Sequence, residues 1–326
     1  MAFSVGIGLT SDCNLHCAHC YRPTDRVYAL TLNDVRRVCE YLPVHSMGLG
    51  TGENALHPEF LEVVRYISGR GIRLSMASNG YSLLAMPDED MKRFHDVEVS
   101  IDFATEREQD AFRGVGNWRD VHRAIDRCRK LGVQVSILAT MMSNNYVQMD
   151  KLAALARSQE LNLRVNVYQP VQNDRFTLSY EQFWEGFRRL LGSAKLVSCT
   201  EPVVGAVLGL EASCVCGVES VRITPRRHVT PCVYWPEGTL TIDDLCLLGE
   251  GILDTPEFRQ AAEVPPLASD CPCRGGCAGR RRLLGDLNQH DPYCPWCRGD
   301  EVCLDHEWAP ARALVRARNY CTTIVA

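Results

Sequence analysis

Ser4-Val5-Gly6-Ile7-Gly8-Leu9-Thr10 runs, after Ser11 and Asp12, into Cys13-Asn14-Leu15-His16-Cys17-Ala18-His19-Cys20. The first part is a short apolar run of the kind that forms a buried strand. The second spaces three thiols as C-x3-C-x2-C on what must be a loop. Three soft ligands so close together can grip three irons of a cubane cluster and leave the fourth iron open. A fully ligated cluster only passes electrons, whereas an open iron can bind and reduce a small molecule. A zinc site built from these thiols with His16 or His19 is the competing reading of the same residues.

Outward from this stretch the chain keeps a strand–helix rhythm to residue 171. Leu32–Leu42 reads as a helix on Leu32, Val35, Val38 and Leu42, with Thr31 as N-cap and Asp34 completing a capping box. Strand candidates follow at Met47–Gly52, Arg73–Ser78, Val97–Asp102, Gln134–Met142 and Leu163–Val171. Between them lie helix candidates at Glu59–Ser68, Asp88–Phe94, Trp118–Leu131 and Val147–Gln159, with a further one at Glu181–Leu191. Such alternation predicts an α/β fold with a parallel sheet, and ligands at the carboxyl ends of its strands. Six units fall short of an eight-fold barrel, so a partial (β/α)6 barrel or an open sheet is expected. Cys39 and Cys128 fall on apolar helix stripes and read as core thiols.

Composition narrows the function classes. The chain has 326 residues, 46% of them hydrophobic and 23% charged, with a formal net charge of −5. It is long enough for one large domain and a smaller one. Mild acidity argues against nucleic acid as the partner. No run of about 18 apolar residues suggests a membrane span, and the N-terminus lacks a signal peptide's pattern. A cytoplasmic location is expected. Seventeen cysteines in a reducing compartment point to metals or redox chemistry rather than disulfides. They crowd at the two ends, and residues 21–213 hold only Cys39, Cys128 and Cys199.

The thiol spacing after strand one of a six-fold chain resembles the radical SAM superfamily. The resemblance continues strand by strand over residues 4–171. Gly50-Thr51-Gly52-Glu53 resembles that family's GGE segment, with Thr51 replacing its first glycine. Ser78-Asn79-Gly80 resembles its TNG segment, and Ser100-Ile101-Asp102 and Asn166 end strands four and six. The resemblance implies that Cys13, Cys17 and Cys20 hold a [4Fe–4S] cluster. It implies that Gly52, Glu53, Ser78, Asn79, Ser100, Asp102 and Asn166 bind S-adenosyl-L-methionine, and that an external one-electron reductant such as a flavodoxin or ferredoxin serves the chain. His19 stands where the family often has an aromatic residue.

The C-terminal third is dense in paired cysteines on Gly- and Pro-rich loops, the setting of metal sites. Cys214, Cys216 and Cys232 come first, with Pro225 and Pro231 suggesting a hairpin; Cys271, Cys273 and Cys277 follow, then Cys294 and Cys297. The pattern resembles SPASM or twitch extensions, whose C-x2-C-x5-C-x3-C appears here as C-x-C-x3-C. The resemblance implies one or two auxiliary [4Fe–4S] clusters. The preferred partition gives Cys214, Cys216, Cys232 and Cys277 to one and Cys271, Cys273, Cys294 and Cys297 to the other; a single-cluster extension competes with it. Residues 1–195 are expected as the partial barrel and 196–326 as the small, cysteine-rich, cluster-binding domain. Leu240–Phe258 is expected as its connecting helix. Cys199, Cys303 and Cys321 have no assigned role.

Cys13 comes so early that no peptide-recognition domain is expected before it, which favours a small diffusible substrate. Chains of this build resemble the radical SAM epimerases and dehydrogenases of aminoglycoside antibiotic biosynthesis. Asp102, Glu106, Asp243 and Asp244 would suit a cationic amino sugar. Cys246, in Asp243-Asp244-Leu245-Cys246-Leu247, reads either as core packing or as the catalytic thiol that returns a hydrogen atom in an epimerisation. Oxidation of a sugar alcohol to a ketone, with an auxiliary cluster taking the electron, is the runner-up. A non-catalytic iron–sulfur carrier and a zinc-stabilised binding protein are the readings from other classes.

Overall fold

A computed structural model of the chain describes residues 2–210, 214, 216–218, 220–310 and 321–326. Six strands come in chain order: β1 (Phe3–Gly8), β2 (Val44–Gly50), β3 (Arg73–Ser78), β4 (Asp96–Ser100), β5 (Gln134–Met141) and β6 (Leu163–Val167). Each pairs in parallel with the one before it. The connections carry α1 (Leu32–Tyr41), α2 (Phe60–Gly69), α3 (Tyr81–Ala85), α4 (Asp88–Met91), α5 (Glu106–Arg113), α6 (Asn117–Leu131) and α7 (Met149–Ser158); α8 (Tyr180–Ser193) follows β6.

The two faces of this sheet differ because alternate residues point to opposite sides. Val5, Ile7, Met47, Leu74, Val97, Val99, Ile137 and Val165 are buried against the helix stripes of Val35, Val38, Val63, Ile67, Val121, Ile125 and Leu152. The other face is small and polar. Gly48 and Gly50, Ser75 and Ala77, Glu98 and Ser100, Leu138 and Thr140, and Arg164 and Asn166 all border one cavity. Residues two apart on five strands share a cavity because the sheet curves around it, as a partial barrel does.

The expected capping box at Thr31 and Asp34 is present. Cys39 and Cys128 are buried, the latter 3.7 Å from Met91 Sδ. Helix α5 has no counterpart in the sequence reading because Glu106–Arg113 buries only Gln109, so it carries almost no apolar stripe. Thr105, whose side chain accepts from the Glu108 amide, starts it.

Strands from the C-terminal third complete the same sheet. β7 (Leu196–Cys199), β8 (Ser220–Ile223), β9 (Val229–Thr230) and β10 (Thr322–Val325) give a ten-stranded order of β7-β10-β6-β5-β4-β3-β2-β1-β8-β9. β8 runs parallel to β1 and makes the expected hairpin with β9. β10 is antiparallel to both β6 and β7. The boundary expected at 195/196 therefore falls between α8 and β7, and strands from both sides of it share one sheet.

Among the described residues, the remaining α-helices are α9 (Pro202–Val207), α10 (Ile242–Leu248), α11 (Pro256–Ala262) and α12 (Ala278–Leu283). The expected connecting helix over Leu240–Phe258 is thus broken in two. Gly249, at φ 56° and ψ −130°, ends α10, a 3-10 turn spans Gly249–Asp254, and Pro256 opens α11 at its first turn. The cysteine-rich region is held to α8 by a buried charge group. Arg280 bonds Asp291 at 2.8 Å and Glu201 at 3.1 Å, and lies over the Tyr293 ring, which stacks on Phe183. Burial pushes the Glu201 carboxyl up, and Arg280 opposes that.

Candidate active site and thiol groups

The Cys13–Cys20 loop leaves the carboxyl end of β1 and is pinned from three directions. The buried Arg22 guanidinium donates to the carbonyls of Ser11 and Leu15, each at 3.0 Å. Asp12 accepts from the Cys13 amide and its carbonyl accepts from the Glu53 amide at 2.7 Å. Gly52 lies so close beneath the loop that a Cβ there would sit 2.3 Å from the Asp12 carbonyl oxygen and 2.5 Å from that of Thr10. Its φ of 56° is left-handed as well. Both facts require glycine at this position. All three thiols border the cavity. Burial raises the Cys13 thiol to about 11 and Cys17 above its ordinary value. Each keeps its proton until a cation takes its place.

Glu53 is almost fully buried and its carboxylate accepts three bonds. Ser78 Oγ donates to Oε1 at 2.5 Å, the Ser82 amide to Oε1 at 2.8 Å and the Asn79 amide to Oε2 at 2.9 Å. It therefore clamps the β3–α3 turn to the end of β2 while one edge faces the cavity. Asn79 Nδ2 donates to Asn14 Oδ1 at 2.9 Å and lies 3.6 Å from Cys13 Sγ, which ties that turn to the thiol loop. Asp102 lies at the end of β4, where Arg113 Nε donates to it at 2.7 Å and the Thr140 amide at 2.9 Å. Burial pushes its carboxyl up, but Arg113, His19 and Thr140 together hold it below the usual range. His19 stacks on Phe112 at 4.9 Å, and burial lowers it to about 4, so it is neutral at pH 7.

The cavity has a volume of about 270 Å³. A polar molecule would find acceptors in it: Asn166 Oδ1 and Gln169 Oε1 are buried and unpartnered among the described residues, as is His19 Nδ1. Most of its charges are already paired. Arg164 bonds Asp96 and Glu98, and Arg113 bonds Asp102. Two differ: Arg22 donates only to main-chain carbonyls, and the other is Arg222 on β8. It lies across Gly6 and Gly50, where a Cβ on Gly6 would meet its Nη1 at 3.0 Å, and it donates to the Thr51 hydroxyl. No carboxylate among the described residues bonds it.

A smaller space of about 70 Å³ shares Asn166, Arg222, Val233 and Tyr234 with the cavity and is lined beyond them by Cys216, Cys232, Cys277 and Cys321. Cys214 meets Cys216, Cys277 and Cys321. Four of these five thiols are the group expected from sequence; Cys321, far away in the chain, is the addition. The second expected group also assembles. Cys271, Cys273 and Cys294 have sulfurs 3.2–3.4 Å apart, and Cys297 Sγ is 3.1 Å from the Cys294 carbonyl. His290 was not foreseen there; one of its ring nitrogens lies within 4.8 Å of the Cys294 and Cys297 sulfurs. Soft, convergent donor sets of this kind suit iron–sulfur clusters, and zinc equally by geometry alone.

The structure does not bring Cys246 to this site. It sits on α10 beside Arg37 of α1, which bonds Asp243 at 2.7 Å, and it is absent from the cavity wall. The acidic mouth expected for a cationic substrate is not assembled either. Glu106 is exposed on α5, Asp243 pairs with Arg37 and Arg227, Asp244 caps α10, and Asp102 is matched by Arg113. Arg222, Tyr21 and Tyr234 were missed, because a lone Arg or Tyr carries no spacing signal.

Comparison with known proteins agrees with this geometry. The Radical SAM superfamily model matches residues 7–156. Mycofactocin maturase MftC of Mycobacterium ulcerans is 27% identical over 95% of this chain and 92% of its own. The antilisterial bacteriocin subtilosin biosynthesis protein AlbA of Bacillus subtilis is 21% identical over 90% of this chain and 71% of its own. A structure of anSMEcpe with bound AdoMet superposes with a TM-score of 0.72 at 18% identity, covering 91% of this chain and 94% of that one. Residues 7–156 are thus similar to the radical SAM superfamily, whose members are enzymes, and a SPASM/twitch-like cysteine-rich region follows them. That superfamily uses a [4Fe–4S] cluster and S-adenosylmethionine. No helix among the described residues is long and apolar enough to cross a membrane.

Proposed function

We propose that the chain oxidises a peptide-type substrate bearing a carboxylate, by hydrogen-atom abstraction in the cavity between its two cysteine-rich ends. The observation that carries this is that the cavity adjoins the smaller thiol-lined space. Cys13, Cys17 and Cys20 border one end, and Asn166, Arg222, Val233 and Tyr234 lead from it to Cys216, Cys232, Cys277 and Cys321. When bound, the N-terminal cluster supplies reductive cleavage of S-adenosylmethionine to a 5′-deoxyadenosyl radical, and an auxiliary cluster supplies an electron acceptor. In this reading Glu53, Ser78 and Asn79 form the wall beside the adenosylmethionine, and Gly52 lets that wall approach the thiol loop. Ser100 and Asn166 present polar groups along the strand ends, whereas Asp102 is buried behind the wall and holds Arg113. The substrate carbon gives up a hydrogen atom, then a proton and an electron, and the product is two hydrogens lighter.

Three features favour oxidation of an anionic peptide over epimerisation of a cationic sugar. Cys246, the proposed hydrogen donor, is not on the cavity wall, whereas an acceptor group adjoins it. Arg222 adds a positive charge that no carboxylate among the described residues bonds, and the similarity to a maturase and a bacteriocin biosynthesis protein favours a peptide. The test pairs peptides having a free C-terminal carboxylate with their C-terminal amides and with an amino sugar. The reduced, reconstituted enzyme should form 5′-deoxyadenosine faster with the carboxylate peptides and yield a product two mass units lighter, and Arg222→Met should lose that stimulation. Stimulation by the amino sugar alone, with an isomeric product, would restore the epimerase reading.

A further inference from the structure

Gly50, Ala77 and Glu98 share one row of the sheet and all border the cavity. Ala77 of β3 pairs with Glu98 of β4, and the register that pairs Leu49 with Met76 sets Gly50 of β2 level with Ala77. Two residues earlier on the same strands, Gly48 and Ser75 border the cavity as well. Side chains this small leave the space over β2 and β3 open. At the β2 end of that space stands the Arg222 guanidinium, whose Nη1 would lie 3.9 Å from a Cβ on Gly50. At the β4 end stands Glu98. Two strand spacings, about 10 Å, separate Gly50 from Glu98.

Glu98 is only half matched. Arg164 Nη1 lies 2.9 Å from its Oε1, but the same guanidinium bonds Asp96 at 3.2 Å and Ser136 Oγ at 3.1 Å. Two carboxylates thus share one cation. No other group among the described residues bonds Glu98. Burial pushes its carboxyl up, Arg164 opposes that, and Asp96 adds to the rise. A buried charge lacking a full counter-charge is costly, and a cation brought into the cavity would supply the missing one. Gln169 points the same way. It is 5% exposed, borders the cavity, and its Oε1 has no partner among the described residues. Both groups are acceptors short of a donor, whereas Arg222 is a donor short of an anion.

We propose that the cavity takes its substrate as a zwitterion, with a protonated amine on Glu98 and the carboxylate on Arg222. This rests on the reading of the substrate as a peptide-type carboxylate and adds its second charge. An extended chain covers about 3.3–3.6 Å per residue, so the span fits a peptide of about three residues with both ends free. Opposite charges at the two ends also fix its direction, because a reversed peptide would set like charges together.

The test measures binding and not turnover. The full chain, reconstituted anaerobically and left unreduced so that S-adenosylmethionine stays intact, is saturated with S-adenosylmethionine. It is then dialysed to equilibrium against radiolabelled trialanine, N-acetyl-trialanine or trialanine amide. Loss of either charge should weaken binding by about tenfold or more, the range of a charged hydrogen bond. Glu98→Gln should bind trialanine and its N-acetyl form alike and still prefer both to the amide. Arg222→Met should no longer separate acid from amide and should still prefer the free amine. If Glu98→Gln does not fold, the N-acetyl comparison in wild type decides. N-acetyl-trialanine that binds wild type as tightly as trialanine overturns the proposal and leaves the carboxylate reading standing. So does a Glu98→Gln chain that keeps the full preference for the free amine. An amide that binds wild type as tightly as the acid overturns the carboxylate reading and the proposal with it, and so does a wild-type chain that binds no trialanine.

Discussion

Thr51 and Gly52 show how single residues set this site. Both have left-handed backbone, with φ of 62° and 56°. For a β-branched residue that conformation costs about 1–3 kcal/mol. Thr51 recovers some of it through its hydroxyl, which meets Tyr21 at 3.1 Å and accepts from Arg222. Threonine at a position the superfamily gives to glycine therefore has a physical reason: the hydroxyl holds the cavity's positive pole. Gly52 has no such freedom to vary. Gly52→Ala would drive a methyl group into two carbonyl oxygens of the thiol loop, at a cost of about 2 kcal/mol or more. Its denaturation midpoint should fall well below the wild type in urea, and an unchanged midpoint would mean the loop does not press on β2. The sequence marked Gly52 and Glu53 because they end a strand. It could not show that Glu53 is saturated by Ser78, Asn79 and Ser82, since those partners depend on the β3–α3 turn folding back.

At the scale of elements, periodicity was the readable part. β3 and α6 match their expected spans almost residue for residue, because each carries an uninterrupted period of two or of about 3.6. Helix α5 was illegible for lack of an apolar stripe, and α10 and α11 were merged because Gly249 breaks a pattern that is otherwise continuous. α4, only four residues long, owes its place to charge. The Asp90 carboxylate is buried and accepts from Arg65 of α2 at 2.7 and 2.9 Å and from Arg93 at 3.1 Å. The bonds from Arg65 foremost, with those from Arg93, hold it below its ordinary value of 3.8 despite burial. A carboxyl depressed in the folded state stabilises fully above its unfolded value and loses that contribution as pH falls through the folded one. Asp90→Asn should therefore be less stable than wild type at pH 7, and the gap should close as pH is lowered below 3.8. Chemical denaturation across that range checks it; a gap independent of pH would mean the clasp contributes nothing through charge.

For the whole molecule, the decisive feature is that the two cysteine-rich ends of the chain line two adjoining spaces, which share Asn166, Arg222, Val233 and Tyr234. The N-terminal triplet was legible from spacing alone, since it is local. The nearness of the C-terminal thiols to one another follows their pairing on Gly/Pro loops, but that of Cys321 was not legible, because only the antiparallel insertion of β10 between β6 and β7 carries it there. The acidic mouth expected for a cationic substrate is not assembled, for a related reason. Counting acidic residues near strand ends ignores that Asp102, Asp243 and Asp244 are each spoken for, and that Arg222 comes in from a strand outside the six-unit repeat. The most direct measurement is the chromatographic yield of 5′-deoxyadenosine and methionine when the anaerobically reconstituted, dithionite-reduced chain meets S-adenosylmethionine. Wild type should form both in equal amounts, and Cys17→Ser should form neither. A wild-type chain that binds iron at the Cys13–Cys20 loop, is reduced, and leaves S-adenosylmethionine intact would contradict the assignment of this cavity as a radical-generating active site.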